Sequence, residues 1–137
     1  MKSLIEYYLG TTIKFHSEKE GAEYKACSFQ VNNLKYRGRR AKITSKKKGQ
    51  FVTFWKRPDK EIAPYSQEDE FNFLIVFMEN ESSYFLFPKQ ALIKHGIIST
   101  PLKEGKRAFR LYHPEEKDLN KQALKTQKWQ GDYFISD

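Results

Sequence analysis

One cysteine, no long apolar run and no acidic side chain anywhere between Lys35 and Arg57 are the conspicuous shortages of this 137-residue chain. A lone cysteine forms no internal disulfide, so the fold has to rest on its own core. Cys27 lies in an alternating stretch, Cys27-Ser28-Phe29-Gln30-Val31, which predicts a buried, reduced thiol. No apolar segment approaches the roughly 18 to 20 residues that cross a bilayer, and the best, residues 71–78, is interrupted by Asn72. The first twenty residues lack a small-residue cleavage site and do not read as a secretory signal. Together these absences predict a cytoplasmic protein with no membrane contact. His16, His95 and His113 are scattered and have no cysteine pair beside them, so no zinc site is expected. Serine-nucleophile motifs and glycine-rich phosphate loops are missing as well, and neither a cofactor nor a small-molecule substrate is inferred.

What the chain does have is positive charge with flat side chains set among it. Lysine and arginine total 25 against 17 acids, a formal charge of +8. Ten of those cations fall between Lys35 and Arg57: Lys35, Arg37, Arg39, Arg40, Lys42, Lys46, Lys47, Lys48, Lys56 and Arg57, interleaved with Tyr36, Phe51, Phe54 and Trp55. Cations neutralise phosphates and release condensed counterions, while aromatics stack on bases, so the run predicts a nucleic-acid surface, with DNA and RNA equally open. The plainer reading is a solvated basic hairpin whose aromatics serve the core. Lys103, Lys106, Arg107 and Arg110 form a second cluster, expected to extend the surface through Arg107 and Arg110 if Phe109 and Leu111 point inward. Residues 61–88 carry Glu61, Glu68, Asp69, Glu70, Glu79 and Glu81 and no lysine or arginine, which predicts a basic side and an acidic side.

The hydrophobic pattern predicts one α+β domain over residues 1–137, built on a twisted, mainly antiparallel sheet, mixed pairing being possible, with flanking helices. Leu4, Ile5, Tyr8 and Leu9 have helical spacing that Gly10 ends, and residues 11–21 read as a loop. A strand from Cys27 turns at Asn32-Asn33 into a return strand over 34–44, and 46–49 turns again into a third strand over 50–56. On that third strand the solvation need of Lys56 places Phe54 toward the basic surface and Trp55 in the core. Residues 71–78 form a central strand, 84–87 its hairpin partner, and Pro88 opens a short helix that Gly96 caps. Residues 108–112 form one more strand, and Asp118 caps a C-terminal helix running to about Trp129.

Four segments, AKITSKKKGQFVTFWKR (41–57), FLFPKQALIKHGII (85–98), KEGKRAFRLYHP (103–114) and KQALKTQKWQGDYF (121–134), resemble the MepB-like family of small bacterial proteins, which is associated with a multidrug efflux gene cluster. The resemblance spans the chain from about Glu23 onward and implies a cytoplasmic bacterial protein with a fold similar to the restriction-endonuclease-like class. It supplies no catalytic motif. A metal-dependent nuclease needs carboxylates to hold Mg²⁺ and a lysine beside the attacking water. Three Glu-x-Lys tripeptides occur, at Glu23, Glu104 and Glu115, about as many as chance gives in so charged a chain. The nuclease-like hairpin from Asp69 to Lys89 has Phe87 where a second carboxylate belongs, leaving Asp69, Glu70 and Lys89 as weak catalytic candidates. Nucleic-acid binding without catalysis is therefore the leading expectation. The alternatives are a metal-dependent nuclease or its degenerate relic, and a protein-interaction module serving a regulator or efflux system.

Overall fold

The computed structural model describes residues 1–136. Its spine is β6 (Phe73–Phe77), whose sequence FLIVF is apolar at every position because both faces are covered. Ile75 and Phe77 join a cluster with Cys27, Phe29, Tyr36, Tyr84 and, from helix α1 (Lys2–Leu9), Ile5. Leu74 and Val76 face the larger cluster on the other side. The remaining strands are β1 (Lys14–Ser17), β2 (Cys27–Val31), β3 (Leu34–Arg40), β4 (Lys42–Ile43), β5 (Gln50–Thr53), β7 (Ser83–Pro88), β8 (Ala108–Leu111) and β9 (Phe134–Ser136). Six of them make a sheet in the order β1-β2-β3-β6-β7-β9, and β4-β5-β8 make a second sheet of three. Among the named strands of the described residues only β3 and β6 pair in parallel; the other ladders between them are antiparallel. The second sheet and two helices, α2 (Lys89–Lys94) and α3 (Lys121–Gly131), cover the face of the large sheet opposite α1. The expected α+β class with a mixed, mainly antiparallel sheet is what the chain adopts.

Local chemistry explains most of the boundaries. Asn32 and Asn33 hold φ of 49° and 69°, the left-handed pair that a tight β2–β3 hairpin requires. In β3 the register sets Gly38 opposite Cys27, where a Cβ would lie 2.6 Å from the thiol sulfur, so only glycine fits. Gly10 ends α1 at φ 67°, its N–H donating to Glu6 O.

Several expectations are corrected. The return strand over 34–44 is two strands in different sheets, because buried Ala41 donates its N–H to Phe77 O and the chain then crosses over to form β4. Residues 11–21 are not wholly loop, since β1 pairs with β2 along the sheet edge. Helix α3 is capped by Asn120, whose Oδ1 accepts from Ala123 N, and not by Asp118; a final strand, β9, follows it. Pro88 closes β7 and stands at the N-cap of α2 instead of inside the helix. Phe54 is fully buried, stacked on Tyr65 at 4.2 Å, whereas Trp55 is half-exposed with the Arg57 guanidinium over its ring. The reversal follows from Lys56, which keeps a half-buried position on the Phe54 side by pairing with Asp69 at 2.7 Å and so needs no open surface.

Candidate nucleic-acid interface

The ten cations of the basic run are brought to very different environments. Six have carboxylate partners: Lys35 with Glu70, Arg37 with Glu18, Arg40 with Glu81, Lys42 with Glu23, Lys56 with Asp69 and Arg57 with Glu20, all within 3.4 Å. Half of those carboxylates, Asp69, Glu70 and Glu81, come from the acidic 61–88 segment, whose strand β6 lies beside β3 in the sheet. The expected division into a basic side and an acidic side is thereby corrected: parallel pairing of β3 with β6 sets the two charge runs against each other. Arg39 is 2% exposed, its guanidinium over the Phe54 ring and donating to Gly38 O at 2.8 Å. It is a core side chain with no phosphate in reach.

Lys46, Lys47 and Lys48 remain. They project from the exposed turn joining β4 and β5, with no carboxylate within ion-pair distance among the described residues. Arg110, on β8 across from β5, fixes that turn by donating to Lys48 O, Gly49 O and Thr44 Oγ1, its guanidinium lying over Phe51. Phe109 and Leu111 point inward as alternation requires, so Arg110 faces outward and the two basic clusters do meet. Arg107 takes a different course, pairing with Glu104 at 3.1 Å.

The turn forms one wall of an open cleft of about 660 Å³, with Lys47, Lys48, Lys106 and Arg110 on one side and the start of α3 on the other. Buried Gln130 holds the cleft open by acting as a surrogate strand along the edge of β8: its Oε1 accepts from Tyr112 N and its Nε2 donates to Arg110 O. Gln127 secures the adjoining turn by donating to His113 O and Glu116 O. Farther along the cleft, Trp129 stacks on His95 with ring centroids 4.0 Å apart and planes 6° from parallel. Partial burial, aided by the neighbouring Lys94 charge, lowers the His95 pKa and favours the neutral imidazole. Sequence reading gave no role to His95, Gln127 or Gln130, since a glutamine on an amphipathic helix gives no sign that it will bond a distant strand edge.

The catalytic candidates lie close in the fold, but their functional atoms are engaged separately. The Asp69 carboxylate accepts from Ser66 N at 2.7 Å and pairs with Lys56; burial works against its charge, yet these partners outweigh it and lower the pKa. The Glu70 carboxylate is turned to Lys35 at 2.8 Å, which lowers its pKa. Lys89 Nζ donates to the backbone carbonyls of Gln67 and Asp69 over the Phe71 ring. Among the described residues no three His, Cys, Asp or Glu side chains converge on one point. Among the described residues no helix is long and apolar enough to cross a membrane.

Comparison with known proteins agrees with this architecture. The crystal structure of MepB superposes with a TM-score of 0.87 at 37% identity, covering 98% of this chain and 95% of that one. A bacterial homing endonuclease superposes with a TM-score of 0.50 at 14% identity over 90% of this chain and 79% of that one, a likeness of fold alone. No curated protein sequence matches significantly. The sequence signature of the MepB-like family matches residues 18–136, and with the MepB likeness this assigns the chain to the MepB-like family.

Proposed function

We propose that this protein binds nucleic acid in the cytoplasm without cleaving it, through the turn lysines Lys46, Lys47 and Lys48 together with Lys106 and Arg110. One observation carries the reading: cations from two separate segments meet at one cleft, free, among the described residues, of the carboxylate partners that occupy most of the basic run. Unpaired cations give the counterion release that drives phosphate binding, and the same cleft offers a flat aromatic wall. Titration by fluorescence anisotropy with short single- and double-stranded DNA and RNA at low salt is expected to give micromolar or tighter binding. Replacing Lys46, Lys47 and Lys48 together by alanine should weaken it at least tenfold while the melting temperature holds. Absence of binding to every polymer at low salt would refute the reading.

The fold likeness to a homing endonuclease favours one rival, a metal-dependent nuclease. Incubation of supercoiled and linear DNA and of RNA with Mg²⁺ or Mn²⁺ decides between them. No cleavage above background is expected. Turnover abolished by Asp69→Asn or Lys89→Ala, with binding retained, would establish the nuclease instead.

A further inference from the structure

The cleft beside the β4–β5 turn has a shape and a distribution of chemistry that a featureless phosphate-binding surface does not need. Its volume of about 660 Å³ falls within the roughly 300 to 1,000 Å³ typical of sites that enclose one small ligand, and a segment of duplex exceeds it. Its walls differ in kind. Lys47, Lys48 and Lys106 are exposed ammonium groups with no carboxylate within ion-pair distance among the described residues, suited to a phosphate. In the same lining the Trp129–His95 stack, with Ile97, whose carbonyl accepts from Lys106 N, and buried Phe109, gives a flat apolar wall suited to a base. Asp118, the one acidic lining residue among the described residues, supplies acceptors at the mouth of α3, and Asn120, whose Oδ1 is committed to Ala123 N, keeps an amide to donate. Acceptors and donors of that kind meet ribose hydroxyls and base edges.

We propose that this cleft holds a single nucleotide unit, its phosphate at Lys47, Lys48 and Lys106 and its base against the Trp129–His95 wall. The proposal rests on the nucleic-acid reading for the polymer that would deliver such a unit, but the cleft itself is equally open to a free nucleotide, and the two sources share one chemistry. Gln130 and Arg110 are positioning residues here: Gln130 fixes α3 against β8, and Arg110 fixes the lysine turn.

The test uses the full chain carrying Trp55→Phe, which leaves Trp129 as the only tryptophan and therefore a reporter inside the cleft. Nucleoside 5′-monophosphates should change its emission saturably, and the matching nucleoside and inorganic phosphate should each bind at least about tenfold more weakly, because each satisfies only one wall. Lys106→Ala, an exposed substitution, should weaken the monophosphate about tenfold, the loss of one charge-assisted contact. A short single strand with a 5′-phosphate that quenches like the free nucleotide assigns the unit to a strand end. Quenching by free nucleotides alone assigns it to a soluble ligand, and with no polymer binding by anisotropy it also overturns the nucleic-acid reading while the cleft proposal stands. Polymer binding with unchanged Trp129 emission and indifference to Lys106→Ala overturns the cleft proposal and leaves the nucleic-acid reading intact.

Discussion

The cations of β3 and those of the β4–β5 turn are consecutive in sequence and opposite in circumstance. Lys35, Arg37 and Arg40 stand in the middle of a sheet, beside strands and loops that deliver Glu70, Glu18 and Glu81 to them. Lys46, Lys47 and Lys48 stand in the turn between β4 and β5, where the nearby Glu116 carboxylate accepts from Gly49 N–H and, among the described residues, no carboxylate pairs with any of the three; an arginine bonding to carbonyl and hydroxyl oxygens fixes the turn from behind. The difference teaches that a charge run in sequence measures potential only when its neighbours in space are known. The β3 cations are largely neutralised structural members, and the turn cations are, among the described residues, without carboxylate partners.

The largest effect expected from breaking this contrast lies within the run itself. Phe54→Ala should cost about 3 to 5 kcal/mol by chemical denaturation, since the ring is fully buried against Tyr65 and Phe71. Trp55→Ala, one residue away and half-exposed, should cost less than about 1 kcal/mol. Equal losses would mean that the core boundary in this segment is misdrawn. Gln130→Leu comes next: it strips Tyr112 N–H and Arg110 C=O of their partner at a covered strand edge, and should cost about 2 to 3 kcal/mol. Its cleft should also loosen, so nucleic-acid affinity should fall along with stability, whereas Trp55→Ala should leave stability nearly intact.

The same positions show how far a sequence reading carries. The period-two pattern from Cys27, the Asn32-Asn33 turn, the apolar strand over 73–77 and the glycine ends at Gly10 and Gly96 were all legible, because each is a local preference that the fold respects. The pairing of β3 with β6 was not, since it joins segments more than thirty residues apart by backbone hydrogen bonds that leave no side-chain signature. Everything that follows from that pairing was hidden too: the carboxylates facing the basic run, the burial of Arg39 and the change of sheet at Ala41. At the cleft, Arg110 and the turn lysines were readable as charges, but Gln130 and His95 draw their roles from the docking of α3, which helical periodicity does not specify.

A smaller effect probes the paired half of the contrast. Asp69→Asn removes the partner of Lys56 and should lower stability by about 1 kcal/mol at neutral pH. Because the folded state holds the Asp69 pKa below its usual value of 3.8, this contribution is present above that value and fades as pH falls through it. The stability curves of the parent and Asp69→Asn should therefore converge toward pH 3 in urea titrations. A gap that stays constant from pH 7 to pH 3 would show that the carboxylate acts through packing instead of charge. Freed of its acid, Lys56 should also strengthen polymer binding slightly at low salt, by no more than about threefold; unchanged affinity would place Lys56 outside the interface.

The account turns on how many cations a polyanion meets, and the salt dependence of binding counts them. For a short single strand, log K against log salt should have a slope of about −3 to −3.5, as expected when four or five cations, Lys46, Lys47, Lys48, Lys106 and Arg110, contact phosphates at roughly −0.7 each. A slope near −7, the value for all ten cations of the run, would mean that the β3 pairs open on binding and that the contrast drawn between β3 and the turn is wrong.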